Sequence, residues 1–225
     1  MAPRVSENAA KERIARRIAW EFDAQNRQMV INLGVGIPTM VANYIQSQRI
    51  FIQAENGILG VGPLARGDRV DRQLINAGRQ PITETPGCSY FDSAASFGMI
   101  RGGHVDATVI GAFEVDELGN ISNWIIPNGR QLGVGGAMDL VSGARQVIVG
   151  MQHLNKDKSK LVKRCTLPVT GFGEADMVVT ELGVFCFEAG ALILREIAPE
   201  ISLDELIALT EARLTVSENL KVMAG

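Results

Sequence analysis

Residues 29–53 read MVINLGVGIPTMVANYIQSQRIFIQ, and the order of residue types within them indicates the fold class. It opens with the apolar, β-branched run Met29–Leu33, continues through a glycine turn, and closes with a second apolar run, Ile50–Gln53. Between the runs, Pro38 suits a first helical turn, and apolar residues then repeat at helical spacing. Strand, glycine turn, helix and strand in this order predict a βαβ unit.

Further short apolar runs follow along the chain, at 107–110, 146–149, 177–180, 184–187 and 192–194. Several are continuous rather than alternating, which indicates strands covered on both faces. The sequence therefore predicts an α/β fold, with an open, mostly parallel sheet and helices on both faces. It contains no internal repeat and no obvious linker, so we expect residues 1–225 to form one domain.

Two helices are predicted near the ends of the chain. Residues 7–23 have amphipathic spacing, and their acidic residues argue against a mitochondrial presequence. Ser202 and Glu205 form a capping-box pattern, which predicts a helix that continues through Arg213. Between these helices, the Gly-, Pro-, Asp- and Ser-rich residues 57–97 predict loops and short elements.

Composition excludes several classes of protein. With 225 residues, 46% hydrophobic content and a net charge of -3, the chain has enough apolar material for one large core and no basic field for nucleic acid. No apolar run approaches the length that spans a bilayer, so we expect a cytoplasmic protein that binds neither nucleic acid nor membrane. Cys88, Cys165 and Cys186 form no CxxC pair and are interpreted as reduced core residues.

One carboxylate follows directly on a predicted strand. The run 50–53 leads into Ala54, Glu55 and the turn pair Asn56-Gly57. Open α/β sheets bind their ligands at the carboxyl ends of strands, where Glu55 would lie. A solvated acidic residue in a turn explains the same pattern, and the spacing alone leaves both interpretations open.

Other residue types offer less. The glycine clusters spell neither a dinucleotide-binding nor a P-loop motif, and each fits either an anion-binding turn or a plain tight turn. No GxSxG elbow is present, which argues against a Ser-His-Asp hydrolase. The two histidines, His104 and His153, have no metal-binding spacing, so no metal site is expected.

Five motifs together resemble the β subunit of family I 3-oxoacid CoA-transferases. They are NLGVGIP at 32–38, QAENGILG at 53–60, MIRGGH at 99–104, NWIIP at 123–127 and GGAMDL at 135–140. The resemblance runs from about residue 11 to about residue 217, and it is closest to subunits that act on acetoacetate, butyrate or succinate. Residues 125–130 resemble the acetoacetate type more than the oxoadipate type. Ala54 departs from the family, which usually has serine there.

The resemblance implies a mechanism. Glu55 would attack an acyl-CoA thioester, form a mixed anhydride and then carry CoA as a glutamyl thioester, giving ping-pong transfer to a second carboxylic acid. CoA or acyl-CoA would be a substrate, with no permanently bound cofactor. The residues implied around Glu55 are Gly136 and Gly135 beside the glutamyl-CoA carbonyl, Asn56 as an orienting group, and Gly34 and Gly36 near the acyl or CoA site.

The resemblance also implies a second chain. The family's α subunit carries a Gly-Gly-Phe loop. This sequence contains no such segment, and the most similar string is Gly171-Phe172-Gly173. We therefore expect an α partner, in an α2β2 heterotetramer. Two alternatives on the same scaffold stay open: an acyl-CoA hydrolase, and a non-catalytic ligand-binding protein related to the sugar-phosphate isomerases that share this general fold.

Overall fold

A computed structural model describes residues 5–129 and 133–223. Arg130, at the end of the acetoacetate-like stretch, lies outside the described residues. The helices in the described part are α1 Glu7–Asp23, α2 Ile37–Val41, α3 Ser93–Arg101, α4 Ala137–Gly143 and α5 Leu203–Leu209, with a 3₁₀ turn at Gly67–Arg69. The strands are β1 Met29–Leu33, β2 Ile50–Ala54, β3 Ile58–Leu64, β4 Ile82–Tyr90, β5 Ala107–Ile110, β6 Glu114–Asp116, β7 Ile121–Ser122, β8 Val147–Gly150, β9 Leu154–Asn155, β10 Lys158–Ser159, β11 Leu161–Val162, β12 Met177–Val179, β13 Gly183–Glu188, β14 Ala191–Ile197 and β15 Thr215–Val222.

One ten-stranded sheet organises the molecule, in the order β15-β14-β13-β12-β8-β5-β1-β2-β3-β4. The flanking pairs are antiparallel, apart from the parallel β14 and β15. The five central strands, from β12 to β2, are parallel. The carboxyl ends of these central strands therefore lie at one edge, where β1 sits between β2 and β5.

Helices cover both faces of this sheet. Successive side chains of a strand point to opposite faces, so β1 packs against two different layers. Ile31 packs with Ile18 and Phe22 of α1, and all three are fully buried. Val30 instead packs against the buried cluster formed by Ile100 of α3 and its neighbours. This arrangement confirms the predicted fold class.

The C-terminal helix differs from its prediction at one end. The capping box of Ser202 and Glu205 is present, but α5 ends at Leu209, and the prediction that it reaches Arg213 is wrong. Thr210 takes an extended conformation, and its hydroxyl donates a hydrogen bond to Leu206 O at 2.7 Å. A β-branched residue whose side chain bonds to the preceding turn ends the helix here.

Two further features differ from expectation. Residues 57–97 hold two regular strands, β3 and β4, which extend the sheet as an antiparallel arm. Cys88, Cys165 and Cys186 are free thiols, but each is only partly buried, so the interpretation of them as buried core residues is only partly right. Cys88 and Cys186 pack against the margins of two core clusters. Partial burial still raises the pKa of Cys165 and of Cys186 to about 11, which keeps both thiols protonated at neutral pH. No helix among the described residues is long and apolar enough to cross a membrane.

Candidate active site

Glu55 lies at the tip of a tight hairpin. Strand β2 ends at Ala54, and a three-residue loop returns the chain into β3, with Gly57 N donating to Ala54 O at 3.0 Å. Gly57 has a φ of 118°, and a β-carbon there would collide with the carbonyl oxygen of Phe91. Only glycine fits this position. The hairpin therefore fixes Glu55 at the carboxyl edge of the parallel strands.

A buried amide from the neighbouring strand holds the Glu55 carboxylate. Asn32 Nδ2 donates to Glu55 Oε2 at 3.1 Å and to Gln53 Oε1 at 2.7 Å. Gln53 Nε2 in turn donates to Ser96 Oγ of α3 at 2.9 Å. Asn32, Gln53 and Ser96 are all buried. The hydrogen bond to Gln53 Oε1 holds the Asn32 amide group in the orientation that presents Nδ2 to Glu55.

Gly136 packs directly against Glu55. A β-carbon at Gly136 would lie 3.1 Å from Glu55 Cγ and 3.3 Å from Cζ of the Phe97 ring. Gly136 immediately precedes α4, and α4 is joined to α3 by an ion pair in which Arg101 Nε lies 2.6 Å from Asp139 Oδ1. The structure thus brings together Glu55 and Gly136, which lie 81 positions apart in the sequence.

The other candidate glycines have different surroundings. Gly135 has a φ of 52° and Gly36 a φ of 95°, so both occupy the left-handed region that glycine tolerates. Gly34 N donates to Val109 O at 2.8 Å, which joins β1 to β5. The amide of Gly34 is therefore already used within the sheet and is not available to a ligand.

The sequence predicted that Asn56 orients the Glu55 carboxylate, but the Asn56 amide group bonds elsewhere. Its Nδ2 donates to Ile75 O at 2.8 Å and so ties the hairpin to the segment between β3 and β4. Asn32 supplies the orienting hydrogen bond instead. A polar residue near the end of an apolar strand is the signal that would have identified Asn32 and Gln53, because strands buried on both faces rarely carry polar side chains without a partner.

Comparison with known proteins assigns the family. Residues 11–209 match the family model described as Coenzyme A transferase. The chain belongs to the coenzyme A transferase family. It is 48% identical to the β subunit of the acetate CoA-transferase of Escherichia coli K12, over 96% of this chain and 98% of that one. It is 46% identical to one subunit of the succinyl-CoA:3-ketoacid coenzyme A transferase of Helicobacter pylori 26695, over 92% of this chain and 99% of that one.

A solved structure supports the fold. The acyl-CoA transferase YdiF from Escherichia coli O157:H7, as apoenzyme, superposes with a TM-score of 0.78 at 22% identity. The match covers 100% of this chain but only 45% of the YdiF chain. These findings confirm the family resemblance, and the relatives of nearly equal length are single subunits of CoA-transferases.

Proposed function

We propose that this chain is the β subunit of a CoA-transferase that moves CoA between a donor acyl-CoA and a short-chain carboxylic acid, including 3-oxo acids such as acetoacetate. The observation that carries the proposal is the position of Glu55. Its carboxylate lies at the strand edge where α/β sheets bind ligands, hydrogen-bonded by Asn32 and backed by Gly136.

The chemistry uses Glu55 twice. A carboxylate oxygen attacks the thioester carbonyl, the carbon–sulfur bond breaks, and CoA leaves as a thiolate, so that a mixed anhydride forms. The thiolate then attacks the glutamyl carbonyl, which frees the first acid and leaves Glu55 as a CoA thioester. A second carboxylate reverses these two steps and departs as the new acyl-CoA.

Positioning supplies much of the rate, because a carboxylate is a weak nucleophile toward a thioester. Asn32 binds Oε2, which leaves Oε1 as the attacking atom in a fixed orientation. A β-carbon at Gly136 would lie 3.1 Å from Glu55 Cγ. Because glycine has no β-carbon, this space is open to the reacting carbonyl. Gly135 and Gly36 are proposed to line the same site, with Gly135 beside the glutamyl-CoA carbonyl and Gly36 toward the acyl or CoA portion.

We further propose an α subunit as partner, in an α2β2 assembly in the cytoplasm, with residues 1–225 as one domain of the β subunit. Support comes from the relatives, which are named as subunits, and from YdiF, whose chain is more than twice as long as the part matched here. The loop 171–173 adds an exposed apolar surface, with Phe172 77% exposed, and Leu118 beside it is 66% exposed. We propose that these two neighbouring side chains belong to the surface that the α subunit covers.

The test is an acyl-CoA assay on the complex of this chain with its α subunit, run with and without an acceptor acid. We expect a new acyl-CoA to form only when the acceptor is present, and no transfer by this chain alone. Release of free CoA at the same rate without an acceptor would contradict the proposal and indicate the hydrolase. No turnover of any acyl-CoA by the complex, together with retained ligand binding, would indicate the non-catalytic protein.

A further inference from the structure

A wide cleft opens beyond the carboxyl ends of β5 and β8, at the same edge of the sheet as the Glu55 hairpin. Its volume is about 990 Å³, which is at the upper end for small-molecule sites. The residues after β5 and β8, the β9–β10 hairpin and the end of α5 form its walls, including Phe113, Gln152, Lys158, Lys160 and Thr210. A thioester-bearing ligand of the size of an acylated pantetheine fits within this volume.

Lys160 is held firmly in the wall of the cleft. Its backbone N donates to His153 O at 3.0 Å, and its carbonyl accepts from Val115 N at 2.9 Å, so the main chain is fixed from two sides. The residue is partly buried, and its ammonium group forms no salt bridge or hydrogen bond within the part of the chain that the structure describes. A partly buried amine without a direct partner is destabilised in its charged form.

The charges around Lys160 explain its ionisation. Burial lowers the pKa of Lys160 to about 8, and the negative charge of Glu181 opposes this by raising it. His153 is fully buried, with a pKa of about 4, and is neutral at pH 7. The other charged residues that line the cleft are Glu114, Asp157, Lys158 and Glu211. A lysine with a pKa of about 8 is roughly one-tenth neutral amine at pH 7, whereas an ordinary lysine is less than about one-thousandth neutral.

We propose that Lys160 is an N-acylation site, modified by acyl-CoA thioesters that enter this cleft. The neutral Nζ attacks the thioester carbonyl, the carbon–sulfur bond breaks, and CoA leaves as the thiolate. The nitrogen gives up one proton, which the thiolate takes up, so an amide and a free thiol are the products. No oxidant, metal or second reagent is required. The reaction goes beyond the proposed transfer and does not involve Glu55.

Lys158 is a matched control for this site. It lies two residues before Lys160 and lines the same cleft, but it is exposed to solvent. An exposed amine is largely protonated at neutral pH and unreactive as a nucleophile. Both lysines therefore meet the same thioester concentration, and a difference between them reports their surroundings.

The experiment incubates the Glu55→Gln variant, in complex with its α subunit, with acetyl-CoA and follows acetyl-lysine by peptide mass spectrometry. Near neutral pH, the neutral fraction of Lys160 exceeds that of Lys158 by about a hundredfold or more, and the lower nucleophilicity of a less basic amine offsets part of this difference. We therefore expect Lys160 to be acetylated at least about tenfold faster than Lys158, with a rate that levels off above about pH 8. Equal rates at the two lysines, or a Lys160 rate that is still rising steeply above about pH 9, would overturn the proposal. Because Glu55 is absent, this result is independent of the transfer mechanism.

A second variant, Glu181→Gln, checks the cause. Glu181 Oε2 accepts a hydrogen bond from His153 N at 2.9 Å, and a glutamine oxygen preserves that bond. Removing the negative charge takes away the interaction that raises the pKa of Lys160. We expect the pH at which the acetylation rate of Lys160 reaches half its maximum to be lower in this variant. An unchanged or raised midpoint would overturn the assigned environment of Lys160.

Discussion

Among single residues, Asn32 and Gly136 are close neighbours of the Glu55 side chain. Asn32 binds one carboxylate oxygen, and Gly136 leaves no side chain against its Cγ. The family resemblance predicted a site at Glu55 and Gly136, and the structure brings these two residues together. The resemblance did not identify Asn32, because the residue lies on another strand and only the parallel register of β1 and β2 places it opposite Gln53.

The role of Asn32 is tested by Asn32→Ala. Loss of the hydrogen bond to Glu55 Oε2 frees the carboxylate to turn away from the reacting carbonyl, and we expect kcat to fall by about ten- to a hundredfold. Stability should fall by roughly 1–3 kcal/mol, because Gln53 Oε1 loses a buried donor. Steady-state kinetics and urea unfolding measure the two effects. Asn56→Ala is the control, since Asn56 bonds to Ile75 O instead; a loss as large as that of Asn32→Ala would contradict the assignment.

Gly136→Ala tests the close approach at Glu55. A methyl group 3.1 Å from Glu55 Cγ and 3.3 Å from the Phe97 ring must displace one of them, so we expect kcat to fall about tenfold or more with native circular dichroism retained. Gly98→Ala in α3 is the control, because a β-carbon there meets nothing within 4 Å. The control should keep its activity and gain about 0.5–1 kcal/mol of helix stability. Full activity of Gly136→Ala would show that the reaction does not need the open space between Gly136 and Glu55.

At the scale of elements, the sequence predicted the central parallel strands well. The apolar runs at 29–33 and 107–110 coincide with β1 and β5, and α1 matches its predicted range of 7–23. The β3–β4 arm was missed because its Gly and Pro residues resemble loop sequence, whereas pairing across the arm makes it regular. Helix α5 also ends early, at Thr210, whose hydroxyl bonds locally to Leu206 O. The same hydroxyl lies 3.0 Å from His153 Nε2, a tertiary contact that no local pattern reveals.

Gly57→Ala tests the hairpin that carries Glu55. Alanine at a φ of 118° is strained, and its β-carbon collides with Phe91 O, so we expect a loss of roughly 3 kcal/mol or more in the free energy of unfolding. Gly67→Ala is the matched control, with a φ of 62° and no atom within 4 Å of the new β-carbon. It should cost only about 1–2 kcal/mol. Urea unfolding separates the two, and equal losses would contradict the clash.

At the scale of the whole molecule, a buried histidine joins the segment before β9 to the end of α5. His153 Nε2 lies 3.0 Å from Thr210 Oγ1 and Nδ1 lies 3.2 Å from Thr180 Oγ1. Burial, with a smaller contribution from the positive charge of Lys160, lowers the pKa of His153 from 6.5 to about 4. Between these two values the unfolded chain binds a proton that the folded chain does not.

The consequence is a loss of stability as the pH falls. Above about pH 6.5, we expect the ionisation of His153 to have no effect on the free energy of unfolding. Near pH 4, protonation of this residue in the unfolded chain should lower the free energy of unfolding by up to roughly 3 kcal/mol. Denaturant unfolding at several pH values from 7 to about 4.5 measures the slope. His153→Gln, which does not titrate, should show a shallower slope by about one proton. An identical slope in the two proteins would contradict a neutral buried histidine.

The part of the chain that the structure describes carries Glu55 and Gly136 together, and it exposes the large apolar side chains of Phe172 and Leu118 on its surface. The sequence predicts the proposed α subunit only through the family resemblance, whose α subunit carries a Gly-Gly-Phe loop that this sequence lacks.

Chemical trapping tests whether Glu55 is the nucleophile that carries CoA. The complex with the α subunit is exposed to a donor acyl-CoA without acceptor, treated with hydroxylamine or borohydride, and digested for peptide mass spectrometry. We predict a hydroxamate or an alcohol at Glu55, which is lost in Glu55→Gln and diminished when acceptor acid is added before trapping. An active complex with unmodified Glu55, or with the label on another residue, would show that Glu55 is not the nucleophile.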